Sequence, residues 1–145
     1  MKHASALLSY LILLASLTMS VWGVLGFIEY FSGYAPLMPL QNQNFPAGTQ
    51  FIHWVLITAS GLTYLFGYWV RWQYTPSAMV VLFACLITMC FIQTFDFMTR
   101  PDRYTAFARE AFYYVLISVY LFRSSRMRAH FQRAGDVSSA VSTKP

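Results

Sequence analysis

Residues 72–95 read WQYTPSAMVVLFACLITMCFIQTF, a run without one charged side chain. An α-helix rises about 1.5 Å per residue, so about 20 apolar residues cross a hydrocarbon core about 30 Å thick. This run is long enough. Working outward, no charge lies between Arg71 and Glu29, and none between Glu29 and Lys2. Across all 145 residues only 10% are charged and 57% are hydrophobic, whereas a soluble domain carries roughly 25% charged residues. The expected fold class is all-α, an integral membrane four-helix bundle. Its spans are expected at about 4–28, 51–70, 76–95 and 103–123, within one membrane domain over 1–128. The remainder, 129–145, reads as a basic cytoplasmic tail, Ser- and Ala-rich and expected to lack fixed structure.

Local signals place the connections. Met1-Lys2-His3 ahead of Leu7 to Leu17 has the outline of a signal peptide, but no A-x-A-like site ends the run, so it reads as an uncleaved first span. Ser9, Ser16 and Gly23 recur every seven residues and Ser20 falls one turn after Ser16, a small-residue stripe for close helix contact. From Ser32 to Gln50 the chain carries Pro36, Pro39, Pro46 and Gly48 with no charge, an apolar loop able to fold back over the helix ends. Thr49 is the expected N-cap of span two. Trp54, Trp69 and Trp72 lie toward that helix's ends, as in an aromatic belt. Pro101 and Asp102 suit the first turn of span four.

The net charge of +5 is concentrated late, at Arg123, Arg126, Arg128, Arg133 and Lys144. Such a tail sets topology and touches anionic lipid. With the spans removed no folded basic surface is left for nucleic acid, so the expected partners are the lipid bilayer and either a membrane protein or a second copy in a homodimer. With both ends on one side, Lys2, Arg71, Arg123, Arg126, Arg128, Arg133 and Lys144 oppose Arg100, Arg103 and Arg109. That bias puts both termini in the cytoplasm of a bacterial inner membrane. Cys85 and Cys90, five residues apart on one helix, sit roughly 140° apart around its axis and cannot bridge.

Span four is the informative one. Twelve residues, Ala111 to Phe122, separate Glu110 from Arg123, and they cover only about 18 Å. Arg109 and Glu110 are then expected one to two turns inside the membrane, pointing into the bundle, because exposed charge at that depth costs several kcal/mol. Glu29, His53 and Asp96 reach the same level, beside Arg100, Asp102 and Arg103. The candidate site is thus Glu29, His53, Asp96, Arg100, Arg103, Arg109 and Glu110 at one end of the bundle. The alternative is a polar clasp: interfacial charges and a structural pair such as Arg109–Asp96 or Arg109–Glu29. His53 with the acids has metal-ligand chemistry but no ligand spacing, so no metal is expected. No nucleophile–base arrangement, phosphate-cradling loop or HExxH motif is present. Aromatic content of 19% could line a pocket for an isoprenoid or quinone, with Phe112, Tyr113, Tyr114 and Tyr120 as candidates. Aromatics at that spacing also serve simply for packing.

Three stretches carry a resemblance. They are Gly23-Val-Leu-Gly-Phe-Ile-Glu-Tyr-Phe closing span one, Asn44-Phe-Pro-Ala-Gly before span two, and Ser60-Gly-Leu-Thr-Tyr-Leu-Phe-Gly-Tyr-Trp-Val-Arg closing span two. Over roughly residues 15–122 the layout resembles the DoxX-like small membrane proteins, four-helix bacterial proteins that include a small subunit of a thiosulfate:quinone oxidoreductase. The resemblance implies the four-helix fold and a link to quinone chemistry. It departs from the family at Glu29, often a Lys there, and at Ile57, where the family has an acid, and it assigns no catalytic residue. The expected function is a non-catalytic subunit or partner of a membrane redox or transport complex. The alternatives are a small membrane oxidoreductase or isomerase acting on a quinone-like or lipid substrate, and a proton-coupled transporter working as a dimer.

Overall fold

The computed structural model describes residues 2–40, 42 and 44–132, and among them it is all-helical. Helix α1 runs Lys2–Ser32, α2 Ala47–Val70, α3 Thr75–Ile92 and α4 Arg103–Arg123. A π-helical turn, Gln93–Phe97, extends α3, and a further helix, α5, covers 125–132. Three stretches are long and apolar enough to cross a membrane: Ala6–Ser32, Ala47–Val70 and Thr75–Phe97. Large apolar side chains such as Leu14, Leu62, Phe66 and Val81 face outward from them, which is the exterior of a membrane protein. Helix α4 falls short of the same standard because Arg109 and Glu110 interrupt its apolar run.

Consecutive helices pack on one another, α1 on α2, α2 on α3 and α3 on α4. The small residues set the approach of α1 to α2. Ser9, Ser16 and Ser20 are buried, and a Cβ added at Gly61 would run into Ser20 and the Ser16 carbonyl, while one at Gly26 would meet the Trp54 indole. Without an apolar driving force between helices in lipid, such close contact is what holds them.

Several boundaries differ from the sequence reading. Helix α1 continues to Ser32 and stops at Gly33, whose φ of 69° lets its N–H reach the Glu29 carbonyl at 2.8 Å. Helix α2 starts after Pro46, two residues before Thr49, and has no side-chain cap. A proline at the boundary fixes the entry φ, and the Gln50 N–H closes the first turn on the Pro46 carbonyl at 3.1 Å. At its other end Arg71 is left-handed (φ 55°), and the Trp72 N–H bonds the Gly67 carbonyl at 2.9 Å.

Helix α5 crosses the expected domain boundary at 128; residues 133–145 of the expected tail lie outside the described residues. Ser124 is extended, which breaks the chain from α4 and turns α5 back under the helices. Met127 and Phe131, one turn apart, are 0% and 2% exposed beside the fully buried Tyr64. His130 stacks on Tyr68 with ring centroids 4.2 Å apart, and its Nε2 donates to the Tyr68 carbonyl at 2.9 Å. That carbonyl belongs to the last turn of α2, where helix carbonyls lack partners of their own. The charged positions Arg126 and Arg128 stay outside.

The two ends of the molecule are therefore distinct. The turn end holds Arg71 to Thr75, the close of α4 and α5. The loop end holds the α1–α2 loop, the π turn and the start of α4.

Candidate functional site

A cavity of about 200 Å³ lies at the loop end. Helices α1 to α4 each contribute to it. Helix α2 supplies Gln50, His53 and Trp54; α3 and its π turn supply Cys90, Gln93 and Thr94; α4 supplies Arg103, Ala106, Phe107 and Glu110. These spacings of three, four and seven residues are those of a single helix stripe. Trp22 of α1 closes one side, and Leu40 and Phe45 of the loop cover the top. The cover is anchored twice. Glu29 Oε2 accepts the Leu40 N–H at 2.6 Å, and Phe45 packs edge-on against Phe97 of the π turn.

Six buried side-chain polar atoms among the described residues have no hydrogen-bond partner within the protein. Four of them belong to cavity residues: Gln50 Oε1, His53 Nδ1, Trp54 Nε1 and Gln93 Nε2. Gln50, Trp54 and Gln93 are 5%, 3% and 2% exposed. Leaving a buried donor or acceptor unpaired costs about 1–3 kcal/mol each, so their concentration around one space is costly unless something there pairs with them. The other two, Thr58 Oγ1 and Ser60 Oγ, lie midway along α2; at the turn end Tyr64 bonds Met127 Sδ at 3.9 Å, Thr75 the Trp72 carbonyl at 2.7 Å, and His130 the Tyr68 carbonyl.

The charged groups at the cavity are held from different sides. Cys90 of α3 and Glu110 of α4 both line the cavity, the thiol buried and the carboxylate exposed. Arg103 donates to the Met98 carbonyl and to the Tyr104 hydroxyl at 2.6 Å, with its guanidinium 4.6 Å from the Tyr104 ring centroid. The π turn sets this arrangement. It closes with the Met98 N–H donating to the Gln93 carbonyl at 2.9 Å, while the Met98 carbonyl accepts from Arg103. Single π turns inside helices recur at functional sites.

The seven sequence candidates separate into three groups. His53, Arg103 and Glu110 line the cavity, although Glu110 is exposed rather than buried in the bundle as expected. Glu29 is buried but acts on the cover rather than the space. Asp96, Arg100 and Arg109 are exposed and outside it. Arg109 does not point inward as expected: neighbouring residues on a helix lie about 100° apart, so with Glu110 at the cavity Arg109 falls outside its lining. Nor does Arg109 form the structural pair considered with Asp96 or Glu29; its charge acts instead on Asp102. Asp102 is joined to Arg100 by a surface ion pair at 2.6 Å. The Arg100 guanidinium holds the Asp102 carboxyl below the usual carboxylate range.

The aromatic candidates on α4 lie elsewhere. Tyr114 stacks on Phe83 at 4.8 Å, Tyr120 pairs with Ser9 at 3.0 Å, and Phe112 and Tyr113 face outward. Cys85 is exposed and Cys90 buried. Among the described residues, no three His, Cys, Asp or Glu side chains gather to hold a metal. The residues missed in the sequence are the neutral ones, Gln50, Trp54, Gln93 and Thr94. No family model, curated protein or solved structure matches the chain.

The chemistry on offer is recognition of a small polar group. Gln50 Oε1 needs a donor, while Trp54 Nε1 and the Gln93 amide nitrogen need acceptors. A volume of about 200 Å³ is below the roughly 300–1,000 Å³ of sites for drug-sized molecules, so a head group or a compact solute fits and a whole lipid does not.

Proposed function

We propose that the chain is a four-span protein of a bacterial inner membrane, both termini cytoplasmic, that holds a small polar ligand or head group in the loop-end cavity. It would do so as a non-catalytic subunit or partner of a membrane redox or transport complex, sharing the DoxX-like layout. The observation that carries this reading is the set of four unpartnered polar atoms on residues around one cavity. In favour of a fourth span, α4 exposes Phe112, Val115, Leu116, Val119 and Phe122, while Glu110 borders the cavity. The long Arg109 side chain can reach the interface beside Asp102. In favour of the orientation, Arg71, Arg123, Arg126 and Arg128 gather at the turn end. A quinol head group suits the donor and acceptor set: hydroxyl oxygens accept from Trp54 and Gln93, and a hydroxyl donates to Gln50.

The second reading is a small membrane enzyme on a quinone-like or lipid substrate. It is favoured by His53 and Glu110, two groups able to exchange protons, lining the same cavity.

Mass spectrometry of solvent extracts from protein purified in mild detergent tests both. A stoichiometric small molecule is expected with the wild type and lost from Gln93→Leu and Trp54→Phe, with a partner protein recovered throughout. Recovery of the bare chain, without ligand or partner, would sink the first reading. Turnover of added quinol that Glu110→Gln abolishes would establish the second.

A further inference from the structure

At the turn end a groove of about 320 Å³ runs between α1 and α4, walled by Leu8, Ile12, Leu116, Ile117 and Val119 and ending at Arg123. We propose that this groove binds an anionic phospholipid, one acyl chain against the apolar walls and the phosphate on the Arg123 guanidinium. The inference rests on membrane insertion and not on the loop-end cavity. Its geometry is that of a lipid in a leaflet. From Leu116 to Arg123 the helix rises about 10 Å, so the apolar walls run along the helices and the charge sits where α4 leaves them. The floor is fixed, because Tyr120 is held by Ser9.

Charge decides the occupant. The four described carboxylates, Glu29, Asp96, Asp102 and Glu110, are all at the loop end. Arg123 is exposed, and Arg71, Arg126 and Arg128 stand at the same end with no carboxylate among the described residues to pair with. That charge is complementary to an anionic lipid, and a planar guanidinium takes a phosphate through two hydrogen bonds. The end of α4 supplies none of this attraction, since a helix C-terminus carries partial negative charge. A second copy of the chain is the poorer occupant: a two-fold interface here would bring like arginines together.

Native mass spectrometry of the full chain, with dioleoyl phosphatidylglycerol or phosphatidylethanolamine added to detergent, tests the site. Phosphatidylglycerol is expected to bind in preference. Arg123→Gln should weaken it about tenfold, the scale of a lost charge-assisted contact, whereas Arg126→Gln and Arg128→Gln stay within about twofold of wild type on that same scale. Leu116→Trp, which fills the groove and keeps every charge, should weaken it as well. This second variant carries the test should Arg123→Gln fail to fold. Equal losses for all three arginines would mean a diffuse basic surface and overturn the site. So would equal binding of the two lipids, unchanged binding in Leu116→Trp, or a wild-type dimer that Leu116→Trp disperses. None of these outcomes bears on the ligand extracted from the loop-end cavity.

Discussion

The two ends of the molecule are built from the same helices and solve the burial of polar groups in opposite ways. The turn end is dry and closed. Tyr64, Met79, Leu121, Met127 and Phe131 are each at most 2% exposed, the polar groups among them are bonded, and the charges face outward. The loop end keeps a cavity, leaves amide, indole and imidazole atoms unpaired around it, and gathers the described carboxylates. A region that carries such a deficit stores a cost that selection for stability alone would remove. The contrast separates the part of the chain that holds the fold from the part free to bind.

The largest expected effect tests the holding end. Phe131→Ala should destabilise the protein by about 3–5 kcal/mol, the scale for emptying a packed aromatic site. It should also free α5, exposing Tyr64 and the last turn of α2. Unfolding in mixed detergent measures the first effect and amide exchange across 64–70 the second. A loss below about 1 kcal/mol, as for a surface change, would mean that α5 merely rests against the helices.

The opposite sign is expected at the other end. Gln93→Leu removes an unpaired buried amide without leaving a hole, and should raise stability by about 1–2 kcal/mol in ligand-free protein. The same substitution should abolish ligand retention. Should stability fall instead, the amide has a structural partner, and the comparison between the ends loses its basis.

This asymmetry explains which features could be read from the sequence. Helices α1 to α3 follow from charge-free runs, which state the membrane requirement directly. His53, Arg103 and Glu110, which border the cavity, are legible in the sequence because ionisable groups are conspicuous among apolar ones. Gln50 and Gln93 are not, since a neutral amide stands out only once its helical phase is known; its signal is the spacing Gln50–His53 and Cys90–Gln93–Thr94. Arg109 was misplaced because depth was considered without phase. Helix α5 was hidden among arginines, yet Met127 and Phe131 at a spacing of four already mark an apolar stripe. The π turn had no legible signal; within it Phe95 lies against Phe91 and Tyr104.

A smaller effect is expected from Glu29, which belongs to the loop end but acts as a fastener. Glu29→Gln weakens the charged acceptor for the Leu40 N–H, at about 1.5 kcal/mol. Amide exchange at Leu40 should rise roughly tenfold, with exchange in α5 unchanged. Faster exchange at both ends would show that the cover and the core are one cooperative unit.

The smallest effect lies on the surface of the same end. Because Arg100 holds the Asp102 carboxyl low, the pair contributes above the carboxyl's unfolded pKa, and that contribution is lost as pH falls through the lower folded value. Acid from about pH 4 downward should therefore remove it, and Arg100→Gln should move the Asp102 titration up toward the ordinary range. The carboxyl carbon shift measured by NMR reads this directly, while the unfolding midpoint near neutral pH should barely move, since the pair is fully open to solvent. No described carboxylate sits at the turn end, so α5 should stay docked through the same titration. If acid in this range released α5 together with the cover, coupling between the ends would outweigh their difference in construction.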